Sequence, residues 1–418
     1  MTYKNSFVLL LSLALLAGLA GCGAPTSAEA IAARKKTAAL NYAAGKEIVL
    51  TVVWNEAKGA FLSGAILAAE ELNAEGGVEG RRIRLEFVDE SVFLKNKGVK
   101  RTAAEGRYRN ALQEAGRRIA HTVIANPDTM AVIGHSDSAA TMAAMLAYED
   151  NGILFLAGGT TQPIIKWSAK NLYFQLLPHD EVMAKAMAEK IHARKWDRVY
   201  FVYEVHRHNE QIIELIKNDF SEVGIQVAGS IAILPMVEND PESNLRMENA
   251  LNVLQDKSVD AVVLVTSPEL GAKVIDYARS LTILKPFIGV SALDAPSFRD
   301  AVGEAGIGTR IVSLRNEDYQ FDQFAQKFKA RFSEVELDTP AAIGYDSVRL
   351  YAQAVASAQS TDPYLVSHSL SYDMPYWYGL LGTYSFVDGV ATGLNFYIQR
   401  LARDKNDKLF FEADNSLK

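Results

Sequence analysis

From Glu47 onward, short apolar runs rich in β-branched residues alternate with amphipathic stretches of helical period. The apolar runs are IVLTVVW (48–54), IRLEFV (83–88), MAVIGH (130–135), ILFLAG (153–158), VYFVYE (199–204), IQVAGSIAIL (225–234), DAVVLVT (260–266) and FIGVSA (287–292). The stretches between them include GAILAAEELNA (64–74), ATMAAMLAYEDN (140–151), EVMAKAMAEKIHARK (181–195) and NEQIIELIKNDFSEVG (209–224). Apolar strands that alternate with helices predict an α/β fold, in which helices cover both faces of parallel sheets.

The eight predicted strands fit two lobes better than one large sheet. The alternation of strands and helices is interrupted near Pro178, His179 and Asp180, and it resumes with the segment DRVYFVYE (197–204). A length of 418 residues leaves room for two or three domains. The sequence therefore predicts two doubly wound parallel-sheet lobes.

Charge and cysteine content exclude several kinds of function. Lys and Arg total 43 against 50 for Asp and Glu, so a net charge of −7 gives no reason to expect a nucleic-acid partner. The chain has a single cysteine, Cys22, which excludes an intrachain disulfide and a thiolate metal cluster.

The first 22 residues predict export. Lys4 precedes an apolar run over 7–20, which is too short to span a bilayer and of the right length for a signal-peptide core. The run ends in Leu-Ala-Gly-Cys (19–22), which resembles the lipobox of bacterial lipoproteins and implies a signal peptide over 1–21 with a lipid on Cys22. Alternatively, Cys22 is a small apolar residue of an ordinary signal sequence.

The segment that follows, residues 22–45, is rich in Ala and small polar residues and is interpreted as a tether. We therefore expect an exported protein at the periplasmic or cell-surface side, anchored to a membrane through Cys22, because two acyl chains hold a protein stably at a membrane. Gram-negative lipoproteins that stay at the inner membrane often carry Asp directly after the lipidated Cys. Gly23 at this position therefore favours the outer membrane.

No motif predicts an enzyme or a metal site. The patterns G-x-S-x-G, H-E-x-x-H, G-x-x-x-x-G-K-[ST] and G-x-G-x-x-G do not occur at any strand-to-helix turn, and no cofactor is expected. His206 and His208 form a pair without a third ligand nearby in the sequence, so no metal is predicted. Residues 95–118 are strongly basic, and a solvated helix is favoured there over an anion or partner surface.

Polar loops follow two of the predicted strands. Ser136, Asp137 and Ser138 come after the run at 130–135, and Gly-Gly-Thr-Thr-Gln-Pro (158–163) follows the run at 153–158. In doubly wound sheets, ligands lie outside the carboxyl ends of the strands, where free backbone N–H groups and hydroxyls suit an anion. The alternative is that these hydroxyls only cap helices.

Five stretches of the chain resemble the leucine/isoleucine/valine-binding family, the type I solute-binding proteins of ABC transporters. They are EELNAEGGVEGRRIRLEFVDE (70–90), MAVIGHSDSAATMAAMLAYEDNGILFLAGGTTQP (130–163), DAVVLVTSPELGAKVIDYAR (260–279), IGYDSVRLYAQAV (343–355) and GTYSFVDGVATG (382–393). The resemblance implies two α/β lobes joined by a three-crossover hinge. It places lobe one at 46–178 plus 312–388 and lobe two at 179–311 plus 389–418.

The resemblance also implies a ligand site between the lobes. The family's carboxylate-binding Ser and Thr fall on Ser138 and Thr161, and the backbone of Gly159 and Thr160 completes the cradle. Trp54, together with Phe61, replaces an aromatic stacking surface of the family.

The resemblance implies that three residues of lobe two contact the ligand, namely His208, Ser291 and Asp294. The acid that pairs with the ligand ammonium in the family falls on Ser291, and Asp294 lies three residues further on. We therefore expect a small carboxylate-bearing or amino-acid-like ligand, with organic acids, amides and aromatic acids included. The expected partners are an ABC permease and ATPase, and the alternative is an envelope lipoprotein that uses this fold as a sensor or protein-partner module.

Overall fold

A computed structural model describes residues 25–55, 59–95, 105–162, 171–234, 247, 250–315 and 319–414. Cys22 and the expected signal peptide lie outside the described residues, as does 96–104 of the basic segment. The strands are β1 (Ile48–Trp54), β2 (Ile83–Asp89), β3 (Ala131–Gly134), β4 (Leu154–Ala157), β5 (Tyr173–Gln175), β6 (Arg198–Glu204), β7 (Gln226–Ile233), β8 (Ala261–Val265), β9 (Phe287–Gly289), β10 (Arg310–Ser313), β11 (Trp377–Gly379), β12 (Gly382–Val387), β13 (Val390–Leu394), β14 (Tyr397–Arg403) and β15 (Leu409–Ala413).

The helices of the described residues lie between these strands. They are α1 (Ser27–Ala43), α2 (Ala60–Ala74), α3 (Glu90–Lys95), α4 (Glu105–Ile124), α5 (Ser138–Asp150), α6 (Asp180–Ala193), α7 (Arg207–Val223), α8 (Pro268–Ser280), α9 (Pro296–Val302), α10 (Tyr319–Arg331), α11 (Thr339–Ala358) and α12 (Pro363–His368). Short turns of other helical types cover Asn252–Gln255, Ser291–Leu293, Gly303–Gly306 and Ser369–Asp373.

The strands form two separate sheets. The first has the spatial order β11-β12-β13-β5-β4-β3-β1-β2, and the second has the order β15-β14-β10-β9-β8-β6-β7. Strands β1 to β5 pair in parallel, as do β6 to β10, and antiparallel strands extend one side of each sheet. Parallel strands buried on both faces need helices on each side, and this is why the central strands β3, β4 and β8 are buried at every residue.

The expected fold is confirmed: two parallel-sheet lobes with helices on both faces. We call the first sheet with its helices the first lobe and the second sheet with its helices the second lobe. The chain crosses between sheets three times, after β5, after β10 and after β13. Two of the expected boundaries, before residue 312 and before residue 389, lie a few residues ahead of the crossings. Strand β10 (Arg310–Ser313) still pairs in the second sheet, and β13 (Val390–Leu394) still pairs in the first.

The expected tether and the basic segment, which both lie outside the sheets, each contain a helix. The tether at 22–45 contains α1, a helix of 17 residues with a capping box at Thr26 and Glu29, and it packs on the first lobe. The basic segment forms α4 from Glu105 onward, and one face of this helix is buried through Leu112 and Ile119.

Candidate functional site

The carboxyl ends of β3 and β4 carry the two polar loops that the sequence singled out, and the structure brings them into contact. A side chain at Gly159 would place its Cβ 2.2 Å from the carbonyl oxygen of His135, so only glycine lets the loops approach this closely. The Gly158 amide also donates to the carbonyl of Gly134 at 3.2 Å. Residues 135–139 and 158–162 therefore form one polar surface at the edge of the first sheet.

A buried network that the sequence analysis missed holds the first of these loops. Glu90, directly after β2, contacts His135 Nδ1 at 2.5 Å and accepts hydrogen bonds from the backbone and the hydroxyl of Ser136 at 2.9 and 2.6 Å. The other ring nitrogen of His135 lies 3.0 Å from the hydroxyl of Tyr148 on α5. Burial raises the pKa of Glu90, but pairing with His135 and the bonds from Ser136 outweigh it and leave this pKa below its ordinary value.

Ser138 is the first residue of α5, and Asp137, not Ser138, caps this helix. The Asp137 carboxylate accepts from the Ala139 amide at 2.7 Å, and burial raises the pKa of Asp137 despite this bond. The Ser138 hydroxyl is half-buried and makes no hydrogen bond to any described part of the chain. The capping alternative therefore does not apply to Ser138, whose hydroxyl is available to a ligand.

The second loop turns its two threonines in different directions. Thr160 is buried, and its hydroxyl accepts from the Gln162 amide at 3.4 Å. Thr161 bonds to Asp180, the first residue of α6, through its carbonyl, which accepts the Asp180 amide at 3.1 Å, and through its hydroxyl. Burial raises the pKa of Asp180 to about 7, although the Thr161 hydroxyl and His179 act in the opposite direction.

His208, which the sequence placed on the second-lobe side of the ligand, lies at the contact between the lobes. Its Nδ1 is 2.6 Å from the side-chain amide of Gln162, and its Nε2 is 3.6 Å from Asp180. Burial and the neighbouring His206 lower the pKa of His208 to about 4, so the ring is neutral at pH 7. Since Nδ1 accepts from the Gln162 amide, the ring proton is on Nε2, the atom that faces Asp180.

Trp54 ends β1 at the same edge of the first sheet as the two loops. Its ring stacks on Phe61 of α2 with the centroids 3.7 Å apart and an angle of 2° between the planes. Phe61 is fully buried whereas Trp54 is half-buried, so the indole is the exposed layer of this aromatic pair.

Ser291 and Asp294 have other partners. The Ser291 hydroxyl donates to the sulfur of Met183 on α6 at 3.3 Å. The Asp294 carboxylate pairs with the Arg315 guanidinium and accepts from the hydroxyls of Ser313 at 2.5 Å and Thr339 at 2.8 Å. With these bonds made, a ligand ammonium would have to displace Arg315 to reach Asp294.

A family model described as periplasmic binding protein matches residues 113–406, which is well over half of the chain. The chain belongs to the periplasmic binding protein family. The resemblance seen in the sequence is thereby confirmed. Members of this family bind ligands and are not enzymes, as expected for a chain without a catalytic motif.

Named relatives of this periplasmic binding protein are distant. A leucine-, isoleucine-, valine-, threonine- and alanine-binding protein of Pseudomonas aeruginosa is 22% identical over 316 residues, which are 74% of this chain and 76% of the relative. An ABC transporter substrate-binding protein of Desulfitobacterium hafniense, solved in complex with Leu, superposes with a TM-score of 0.70 at 22% identity and covers 88% of this chain and all of its own. A solute-binding protein of R. palustris in complex with benzoate has a TM-score of 0.67 at 17% identity and covers 88% of this chain and 96% of its own.

The periplasmic binding protein chain gives no sign of a metal centre or a membrane span in its described part. No three or more His, Cys, Asp or Glu side chains there are grouped so that they could hold a metal ion. None of the helices described is both long enough and apolar enough to cross a bilayer. At the candidate site, Ser138 and His208 carry hydrogen-bonding groups and Trp54 carries a half-buried aromatic ring.

Proposed function

We propose that this protein binds a small solute between its two lobes for an ABC importer. The observation that carries the proposal is the meeting of the two first-lobe loops with His208 of the second lobe, which bonds to Gln162. Loops at the carboxyl ends of parallel strands are where this class of sheet binds ligands. Closing two lobes on a solute removes it from water and produces the form that a permease engages.

The polar groups favour a ligand with a carboxylate, such as an organic acid or an amino-acid-like molecule. The Ser138 hydroxyl has no hydrogen-bond partner among the described residues, and the partly exposed backbone of Gly159 lies against the same loop at His135 and Ser136. Asp180, with its raised pKa of about 7, is a hydrogen-bond donor in its protonated form, and His208 Nε2 lies 3.6 Å from it. These donors suit a carboxylate, and Trp54 supplies an aromatic surface for the rest of the molecule.

The second-lobe residues favour ligands without an ammonium group. His208 is neutral, and Asp294 is engaged by Arg315. Burying an ammonium without a partner is costly. The relatives that hold leucine and benzoate show that this fold accommodates acids with and without an amino group, and the geometry here favours the second kind.

We further propose that the protein is exported and anchored through a lipid on Cys22, with an ABC permease and ATPase as its partners. The lipobox-like residues 19–22 behind an apolar run support the anchor. Mass spectrometry of the membrane-extracted chain tests this part by itself, because a diacylglycerol-modified Cys22 has a defined added mass.

A thermal-shift screen against amino acids, amides and organic acids tests the ligand. A ligand at a hundred times its dissociation constant stabilises the folded chain by about 2.7 kcal/mol. Ser138→Ala is expected to abolish the shift without changing the melting temperature of the ligand-free chain, since the Ser138 hydroxyl has no hydrogen-bond partner in the part of the chain that the structure describes. Ser27→Ala is the matched control, because Ser27 is also the first residue of a helix but lies on α1.

Two results would contradict this proposal. Binding that survives Ser138→Ala would remove Ser138 from the site. A blank across acids and amino acids would point instead to the sensor or protein-partner module. Thr161→Ala is a poorer test than Ser138→Ala, since the Thr161 hydroxyl also bonds to Asp180.

A further inference from the structure

Helix α1 is fixed to the first lobe along its length, which a flexible tether would not be. Arg34, only 7% exposed, extends its guanidinium into a cage of backbone carbonyls, which are those of Ile124, Asn126, Pro127, Thr129 and Asn151. Asn41 donates to Asp128 at 2.9 Å, and the carbonyl of Tyr42 accepts two bonds from Arg81. The position of α1 therefore fixes where the chain that precedes it meets the lobe.

These contacts place α1 across the amino-terminal edge of the first sheet. Ile31 lies against Gly152, just before β4, and the caged carbonyls of 124–129 lie just before β3. Arg81, the partner of Tyr42, precedes β2. The candidate ligand site lies at the carboxyl ends of the same strands, about 20 Å away along the seven residues of β1.

Large apolar side chains are exposed on α1 and on the elements that pack directly against it. Leu40 of α1 is 60% exposed, Leu146 of α5 is 50% exposed and Leu365 of α12 is 52% exposed. Helix α12 joins α1 through Tyr364, whose ring lies under the Lys35 ammonium at 4.1 Å. Singly exposed leucines are ordinary, but here one lies on α1 and one on each of the two helices that contact it.

The charges and aromatic residues around these leucines fit a bilayer interface. Lys35 and Lys36 are exposed on α1, and each basic residue near an anionic leaflet contributes about 1 kcal/mol to attraction. Tyr372, whose ring lies at a tilt against His368 at the end of α12, is 73% exposed. Tyrosine favours the headgroup level of membranes because one end of its ring is apolar and the other is polar.

We propose that Leu40, Leu146, Leu365 and Tyr372, with Lys35 and Lys36, form a surface that lies on the bilayer in which the lipid of Cys22 is inserted. The proposal rests on the lipid anchor proposed above. Three residues separate Cys22 from the helix cap Thr26, and the four Cα-to-Cα steps between the two reach at most about 14 Å. So short a connection keeps the α1 side of the lobe at the membrane surface, and the ligand cleft then lies on the side of the first sheet that faces away from that bilayer.

Spin labels at two exposed leucines test the docking in the full lipidated chain. Lipidation consumes the only native thiol, so Leu40→Cys and Leu284→Cys each provide a single labelling site. Leu284 is 76% exposed and precedes β9 in the second sheet, so it is a matched surface leucine on the other lobe. The chains are reconstituted in vesicles of phosphatidylcholine and phosphatidylglycerol in equal parts, and collisions with oxygen and with a water-soluble nickel chelate are compared.

We expect the label at 40 to collide several-fold less with the nickel chelate than the label at 284, and more with oxygen. The difference should shrink in vesicles of phosphatidylcholine alone, where Lys35 and Lys36 have no anionic partner. Equal collision rates at the two sites on a chain whose Cys22 carries lipid would overturn the docking and leave the anchor standing. A chain whose Cys22 carries no lipid by mass spectrometry would overturn both, while the ligand screen stands independently of either result.

Discussion

The two lobes stabilise the polar groups beside the cleft in different ways. In the first lobe, Glu90 bonds to His135 and to Ser136, and His135 also bonds to Tyr148, so every partner belongs to the same lobe. In the second lobe, His208 bonds to Gln162 and Asp294 bonds to Thr339, and both partners are first-lobe residues. The first-lobe surface therefore keeps its shape when the lobes separate, whereas the second-lobe groups lose partners.

This difference suits a protein that closes on its ligand. A ligand meets a preformed surface on the first lobe, and closure then adds the second-lobe contacts. Because closure forms few bonds between the lobes, ligand binding can shift the balance between open and closed forms with a modest difference in affinity. Three measurements test this difference between the lobes.

The largest expected effect comes from Glu90→Ala, which removes the centre of the first-lobe network. The change leaves His135 and the Ser136 amide without their buried partner, so the free energy of unfolding should fall by about 3–5 kcal/mol. Glu47→Ala is the control, since Glu47 pairs with Arg84 at the surface and should cost at most about 1 kcal/mol. Urea unfolding measures both, and equal losses in the two variants would show that the network is not what holds the loop.

The second prediction concerns pH and the pair formed by Asp180 and His208. Asp180 has a raised pKa of about 7, so its contribution to stability is present below its ordinary value near 4 and is lost as pH rises to 7. His208 has a pKa lowered to about 4, so its neutral form favours folding above pH 6.5, and that contribution is lost as pH falls to 4. In the unmodified chain the two effects oppose each other between pH 4 and 6.5.

Removing one group of the pair should reveal the other. In Asp180→Asn the free energy of unfolding should rise with pH between 4 and 6.5, and in His208→Gln it should fall between 4 and 7, each by up to about 1.4 kcal/mol per pH unit. Urea midpoints across this pH range give the slopes. A rise in both variants would contradict the raised pKa of Asp180, and a fall in both would contradict the lowered pKa of His208.

The fold could be predicted from the sequence only in part. Two properties of each element decided this: its length and the position of its partners in the chain. The run at 48–54 is β1 residue for residue, because seven consecutive residues that are apolar or β-branched have few alternatives. Strand β5 has three residues, and β11 to β15 have mixed polarity, such as VATGL (390–394), so no apolar run marks them.

The candidate site was predictable only in part. Ser138, Gly159 and Thr161 follow strands whose carboxyl ends meet, and the structure brings their loops together. Glu90 also follows a strand, which was a usable signal, but its partners are 45 residues away. Asp180, at the first turn of a helix, looks like an ordinary acid beside the helix dipole, and only the fold shows that it faces His208.

The smallest expected effect comes from Gln162→Ala, which removes the bond between the lobes at His208. One hydrogen bond contributes about 1 kcal/mol, so the unfolding free energy should change little. The open form should nevertheless gain population, because the bond exists only while the lobes touch, and small-angle scattering of the ligand-free chain should report a larger radius of gyration. Ser136→Ala, which removes a bond internal to the first lobe, should leave that radius unchanged. If Gln162→Ala leaves the radius unchanged as well, the His208 bond does not hold the lobes together, and the contrast between the lobes then rests on Asp294 and Thr339.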